Sequence, residues 1–397
     1  MTLGSPLGHG NAFVFADGGP ASWDAFQRDE GNATAAVLSE GGACLRLVTM
    51  KFRTLPETDV RVSEIGFGLW TISTGWWGHF TEGEAIALMH RALDLGITLY
   101  DAADTYGNGY SEELIARAFP NQRDQIQIAT KVGYNFYDHG GERKGQREIP
   151  QDFSPDFIRG AVEKALQRLN TDRIDILQLH NIRMPQVEDD ALWLLLDKLV
   201  QEGKIRSYGA ALGPAIGWLY EGIDCVQQRR PHVLQHIHNL LEPHPGRQIM
   251  DEGEAARTSD SPARTRYLIR VTHSSGMLEG KYTAETTFPP TDHRSHRPRS
   301  WLLNGLKKIE TLQFLVGPDR TLGQAALLWL LADQRVASCL PNIYDEAQLK
   351  EFATAPDCPP LTAEELARVE ELSRGNFGVE GETPNYKGTM ERAEATV

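Results

Sequence analysis

The chain has 397 residues, 41% hydrophobic and 24% charged, a balance that excludes disorder as its main state and suits a protein with a large buried core. A formal net charge of −14 argues against nucleic acid and anionic membrane surfaces as partners, since both are bound through dense Lys/Arg patches. No run of about 18 apolar residues is present to cross a bilayer, and the first residues lack the basic start and apolar stretch of a secretory signal. A cytoplasmic protein is therefore expected.

Residues 1–49 are rich in Gly and small side chains and hold no sustained period of 3.6 or 2, so little order is expected there. Met50 then opens KFRTL, which alternates as a strand edge does. Two readings of the first 49 residues stand: translation starts at Met50, or they are a genuine extension.

From residue 50 onward strand-like runs alternate with amphipathic helical stretches. The strands are expected at 65–70, 98–104, 126–132, 174–180, 205–212, 233–240, 267–274 and 337–343. Between them, TEGEAIALMHRALDLG begins with a capping-box pattern, Thr81 with Glu84, and stops at Gly96. SPDFIRGAVEKALQRLN repeats the grammar with Ser154 as cap and Pro155 at the first helical position. Repeated β-then-α order predicts a parallel sheet, and eight strands close a barrel. An open doubly wound sheet would carry a GxGxxG turn after its first strand, and none is present.

The fold class is thus α/β, a (β/α)8 TIM barrel formed as one domain by residues 50–375. It would carry the extension 1–49, an added C-terminal helix at LTAEELARVEELSR, and a tail over 376–397 expected to be mobile and able to reach the active-site rim. The Pro- and Arg-rich stretch TTFPPTDHRSHRPRS is too long for a plain connector and reads as functional or mobile. Cys44, Cys225, Cys339 and Cys358 are scattered without metal-ligand spacing, which predicts free thiols.

In a barrel of this kind active sites lie at the C-terminal ends of the strands. Three successive ends are chemically loaded: DAADTYG supplies Asp101 and Tyr106, ATKVG supplies Lys131, and LQLHN supplies His180. A tyrosine ordinarily titrates near about 10 and is a poor acid at neutral pH. An adjacent ammonium favours the tyrosinate, and a carboxylate holds that ammonium charged and oriented. Taken singly, Asp101 reads as turn chemistry, Lys131 as a solvated strand end and His180 as a core histidine. Three consecutive strand ends carrying the side chains that one mechanism needs favour a proton donor to a carbonyl that receives a hydride.

These segments resemble the aldo-keto reductase family. DAADTYGNGYSEELIARAF is similar to the family's stretch with its catalytic Asp and Tyr, IATKVG to its Lys segment, and DRIDILQLHN to its His segment, over roughly residues 50–350 in order. The resemblance implies the barrel, bound NADP(H) or NAD(H) without a Rossmann domain, and reversible reduction of aldehydes or ketones with no metal. By it Tyr106 is the general acid, Lys131 and Asp101 tune it, and His180 orients the substrate.

The cofactor positions implied by the resemblance are Gln235 for the carboxamide, Ser274, Ser275, Gly276, Leu278, Gly280 and Lys281 for the pyrophosphate loop, and Gln348 for the adenosine. Three positions depart from the family. Ala211 and Leu212 stand where a Ser-Asn pair is usual, His238 where an aromatic follows Gln235, and Pro341-Asn342-Ile343-Tyr344 where Pro-Gly-x-Arg grips the 2'-phosphate of NADP. NADP is the first expectation, with NAD as the alternative, and Arg294 or Arg297 could replace the missing charge. Trp70 and Trp77, flanked by Trp76, together with His180 are the expected substrate contacts.

Two other classes compete. A nicotinamide-binding sensor barrel with little turnover would explain the altered cofactor positions, but has no use for an activated tyrosine. A hydrolase with paired carboxylates needs acids at two strand ends, whereas Asp101 and Asp104 lie on one segment.

Overall fold

The structure is a computed structural model that describes residues 32–38, 45–139, 148–257, 264–382 and 384–392. Three antiparallel strands, β1 (Asn32–Leu38), β2 (Leu45–Thr54) and β3 (Arg61–Ser63), precede the barrel. In the stretch expected to carry little order, β1 instead pairs with β2 from Asn32 opposite Lys51 to Leu38 opposite Leu45. The rest of that stretch, 1–31 and 39–44, lies outside the described residues.

Eight parallel strands follow: β4 (Phe67–Gly68), β5 (Leu99–Asp101), β6 (Gln127–Val132), β7 (Ile174–His180), β8 (Ile205–Ala211), β9 (Val233–Ile237), β10 (Arg266–Arg270) and β11 (Val336–Leu340). They pair in sequence order from β4 to β11. The Gly66 N–H donates to Cys339 O at 2.8 Å and the Cys339 N–H to Glu64 O at 2.8 Å, so the first strand closes on the last. All eight expected strands are present. β5 is shorter than expected because regular pairing stops at Asp101, although Ala102 N–H and Asp104 N–H still reach Ala129 O at 2.8 Å and Lys131 O at 3.1 Å.

The turn between β2 and β3 plugs the N-terminal mouth. Leu55, Val60 and Val62 are fully buried against Leu99, Ala129, Ile176, Val233, Leu268 and Ala337, so one apolar side chain from each of several strands meets the plug. Arg53 fastens it by donating to the carbonyls of Leu331 at 2.7 Å and Asp333 at 2.9 Å. Closing this end leaves the opposite mouth, where the strand ends gather, as the open one.

Helices cover the outside as the apolar periodicity requires. Glu82–Asp94 begins with the capping box of Thr81 and Glu84. Pro155–Leu169 begins with Pro, but Ser154 makes no side-chain cap; its own N–H is taken by the Asp152 carboxylate at 2.9 Å. Ala363–Arg374 buries Val369 and is the added C-terminal helix. The tail beyond it is tied down where it is described: Lys387 exchanges backbone bonds with Ile216 at 2.9 Å and Trp218 at 2.7 Å, and Tyr220 N–H donates to Thr389 O at 3.0 Å. No helix among the described residues is long and apolar enough to cross a membrane.

Candidate active site

Asp101 ends β5, Lys131 is the penultimate residue of β6 and His180 ends β7, so adjacent strands carry their polar ends to one rim. Lys131 is wholly buried, and a buried ammonium is tolerated only when paired and hydrogen-bonded. It donates to Asp101 Oδ2 at 2.7 Å and to Ala102 O at 2.7 Å. The other oxygen, Asp101 Oδ1, accepts from Gln235 Nε2 at 2.9 Å and Gln178 Nε2 at 3.2 Å. Both partners of the ion pair are thereby fixed.

Tyr106 arrives on the turn after β5. Gly107, Asn108 and Gly109 all have left-handed φ, of 62°, 55° and 97°, a run that glycine and asparagine sustain where larger side chains would strain. The turn lays the Tyr106 ring 5.0 Å from Lys131 Nζ and edge-on to the His180 ring at 5.9 Å. His180 also meets the Tyr134 ring at 5.0 Å. Tyr134 in turn accepts from Asn181 Nδ2 at 2.8 Å, and Gln151 holds the carbonyls of His180 at 2.9 Å and Asn181 at 3.1 Å. The four residues expected to act together are therefore brought together.

Other buried charge lies near the tetrad. Glu112 accepts from Thr130 Oγ1 at 2.6 Å and from Arg168 Nε at 2.6 Å. Asp104 is fully buried, with no side-chain hydrogen-bond donor to either carboxyl oxygen among the described residues. Burial pushes its pKa well above the usual carboxylate value, and the nearby Glu112 pushes the same way.

The chain leaves the end of β10 through a strained turn. Val271, Ser274 and Ser275 have φ of 56°, 48° and 57°, followed by Gly276 at 91°. A β-branched residue in this region costs of order 1–3 kcal/mol and persists only where surrounding structure imposes it. Ser274 Oγ reaches Glu242 at 3.1 Å, and Ser275 Oγ accepts from Arg297 at 3.3 Å. Leu278 is buried in the core beneath, and Lys281 stands half exposed, 3.8 Å from Glu279.

The long Pro- and Arg-rich loop packs on the segment after β4. His293 N–H donates to Trp76 O at 3.0 Å, and the His293 ring lies 5.3 Å from Trp70 and 6.4 Å from Trp77. Arg294 is held by Asp292 at 2.6 and 2.8 Å and by Tyr282 at 2.7 Å, with its guanidinium over Trp77 at 4.1 Å. Trp70 and Trp77 thus join the segment after β4 to the loop that carries His293 and Arg294.

The eight-stranded barrel is what the comparisons with known proteins match. The aldo/keto reductase family model fits residues 64–374. This chain belongs to the aldo/keto reductase family. The NADH-specific methylglyoxal reductase of Escherichia coli (strain K12) is 35% identical over 324 residues, 77% of this chain and 93% of that protein. Aldo-keto reductase YhdN of Bacillus subtilis (strain 168) is 32% identical over 253 residues, 63% of this chain and 70% of that protein. Among solved structures, the glycerol dehydrogenase AKR11B4 from Gluconobacter oxydans is 26% identical with a TM-score of 0.69, covering 86% of this chain and 99% of that one.

His238, which stands where the family has an aromatic after Gln235, does not face the tetrad. β9 alternates, with Val233 and Gln235 turned inward, so His238 points outward and packs at 5.0 Å on Trp329 of the helix Leu322–Leu331. The large side chain that does stand at the rim is Arg270, the last residue of β10, which donates to Leu212 O at 2.8 Å and to Gly213 O. Burial lowers its pKa, while Tyr106, Asp101 and Tyr134 are near enough to draw it back up. Sequence reasoning missed it, although a lone Arg closing the apolar run YLI was a visible signal.

Gln348 is fully buried and orders the loop after β11, its Oε1 accepting from Tyr344 N–H at 3.0 Å. Tyr344 stacks on Trp77 at 6.2 Å and donates to Glu279 Oε2 at 2.7 Å. Glu279, Gln178 and Tyr134 were not singled out from the sequence, because each owes its place to a partner on another strand or loop. Among the described residues no group of three or more His, Cys, Asp or Glu side chains is placed to share a metal ion.

Proposed function

We propose that this chain is a nicotinamide-dependent carbonyl reductase, reversible to an alcohol dehydrogenase, with Tyr106 as its general acid. The observation that carries the reading is the Tyr106 ring set 5.0 Å from the buried Lys131 ammonium, which is itself anchored by Asp101 at 2.7 Å. NADP(H) or NAD(H) is the hydride source this reading requires. The strained turn 271–276, with the hydroxyls of Ser274 and Ser275, would hold the pyrophosphate, and the loop carrying His293 and Arg294 would cover it.

When bound, the nicotinamide supplies the hydride. Tyr106 donates its hydroxyl proton to the carbonyl oxygen as charge builds there, and Lys131 stabilises the phenolate left behind. Asp101, fixed by Gln235 and Gln178, keeps Lys131 in place. His180, edge-on to Tyr106, directs a hydrogen bond to the same carbonyl oxygen and so fixes the substrate's approach. In oxidation the tyrosinate takes the alcohol proton back. Trp70 and Trp77 supply apolar wall for the substrate. The relatives named for methylglyoxal, L-glyceraldehyde 3-phosphate and glycerol favour small oxygenated aldehydes, ketones or alcohols as the class of substrate.

The test is Tyr106→Phe, assayed by nicotinamide absorbance with a panel of small aldehydes and ketones. Turnover is expected to fall on the order of 10²- to 10⁴-fold, the contribution typical of a positioned acid, with cofactor binding retained. Undiminished turnover removes Tyr106 from the role. Tight cofactor binding by the unaltered protein, with no carbonyl reduced, favours the sensor barrel.

A further inference from the structure

We infer that Arg270 is an anion grip at the active site, and that the carbonyl substrates of this protein carry a carboxylate or phosphate group a few bonds from the reacting carbonyl. The inference rests on the carbonyl-reductase reading above and names the substrate class of that same site.

The alternation of β10 places the side chain. Leu268 packs inward with Val233 and Ala337, so Arg270, two residues on, projects from the same face one step nearer the open mouth. Leu268 pairs with Gln235, whose amide holds Asp101 Oδ1 at 2.9 Å. From there the Arg270 side chain reaches past β9 to the end of β8, where Nη2 donates to Leu212 O at 2.8 Å and to Gly213 O. Ala211, next to that anchor, pairs with His180. The guanidinium is thus pinned between the ends of β10 and β8, close enough to Tyr106, Asp101 and Tyr134 to feel their charge.

Its own charge has no protein counter-ion. Other largely buried arginines each face a carboxylate: Arg53 meets Glu64 at 2.8 Å, Arg123 meets Asp175 at 2.7 Å and Arg168 meets Glu112 at 2.6 Å. Arg270 makes no such pair among the described residues. The carboxylate that acts on it, Asp101, is taken up by Lys131, Gln235 and Gln178. Glu148, on the far side of Tyr134, is engaged by Arg183 at 3.1 Å. Lys131 and Asp101 cancel, which leaves one uncompensated cation at the mouth of a chain whose net charge is −14. Two backbone carbonyls orient a guanidinium without neutralising it, and a largely buried charge is costly until it is paired. Nη1 makes no hydrogen bond among the described residues, and Arg270 keeps part of its surface exposed. A free donor and access to it therefore coincide. Carboxylate and phosphate oxygens are the acceptors a guanidinium binds most strongly. With the carbonyl oxygen at Tyr106 and His180, an anionic group on the same small molecule meets Nη1, and the second contact decides which way round the substrate lies.

The experiment compares kcat/KM within two matched pairs of aldehydes, butanal against succinic semialdehyde and glyceraldehyde against glyceraldehyde 3-phosphate, by nicotinamide absorbance. The unaltered protein is expected to favour the anionic member of at least one pair on the order of 10- to 100-fold, the worth of one charge-assisted hydrogen bond. The difference is expected mainly in KM, and the pair that shows it tells carboxylate from phosphate. Arg270→Gln is expected to bring the ratio toward one and Arg270→Lys to restore part of it, whereas loss of a merely structural arginine would lower both members alike. Equal or better use of the neutral member in both pairs overturns the inference and leaves the reductase reading standing. A preference that survives Arg270→Gln overturns it too. So does loss of nicotinamide binding in that variant, read by tryptophan fluorescence, with the ratio unchanged, since the guanidinium would then serve the cofactor. Reduction of none of the four aldehydes overturns the reductase reading and this inference with it.

Discussion

Asp104 is the residue whose chemistry and surroundings disagree most. It is fully buried with no side-chain donor to its oxygens among the described residues, and burial raises its pKa well above the ordinary 3.8. A carboxyl group with a raised folded-state value holds its proton more tightly folded than unfolded. Its stabilising effect is complete below the ordinary value and is lost as pH rises through the folded one. Asp104→Asn keeps the neutral form at every pH. The variant is expected to melt above the unaltered protein near neutrality, with the advantage vanishing toward pH 4, in thermal unfolding followed across that range. A lower melting temperature at neutral pH would show that the carboxylate is ionised and stabilised where it lies. The same scale shows how the sequence marks catalysis better than support. Tyr106, Lys131 and His180 announce themselves because polar groups at strand ends are unusual, while Gln178 reads as one more residue of an apolar strand.

At the scale of elements, caps and strands were legible because their signals are local. The box of Thr81 with Glu84, the Pro at 155 and the apolar runs of all eight barrel strands each depend on neighbours a few residues away. The tail was not, because its partner is far off in the chain. Residues 384–392 lie along the segment after β8, where a Cβ on Gly217 would sit 1.6 Å from Lys387 O and where Gly217 has φ of 130°. Gly217→Ala is therefore expected to release this strap. Limited proteolysis would then cut near the C terminus at a rate well above that of the unaltered protein, while the barrel stays folded by circular dichroism; an unchanged rate would show that the strap tolerates the methyl group. The segment it holds follows Ala211 and Leu212, positions lacking the side chains by which the family usually contacts the carboxamide, so the strap sets the shape of that wall.

Across the whole molecule, acid sensitivity follows from its buried histidines. Burial holds His232, His236, His273 and His293 down to about 4, and His238 well below its ordinary value. A base with a lowered folded-state pKa contributes stability that is present above the ordinary 6.5 and is lost as pH falls toward the folded value. Several groups of this kind act together. The melting temperature is expected to drop steeply between pH 6.5 and about 4, and a flat profile across that window would show that these imidazoles are already charged in the folded state.

The sequence by itself determined the alternation that closes the barrel, the rim on which the polar strand ends gather, and the residue types of the tetrad, since all three follow from short-range periodicity and from side-chain chemistry. Only the tertiary structure decided which groups complete the site. Gln235 and Gln178 converge on Asp101, Arg270 rather than His238 stands at the rim, and Glu279 meets Tyr344. The physical reason is distance along the chain. Glu279 and Tyr344 lie on different loops, 65 positions apart, and their pairing exists only because β10 and β11 lie side by side in the closed barrel.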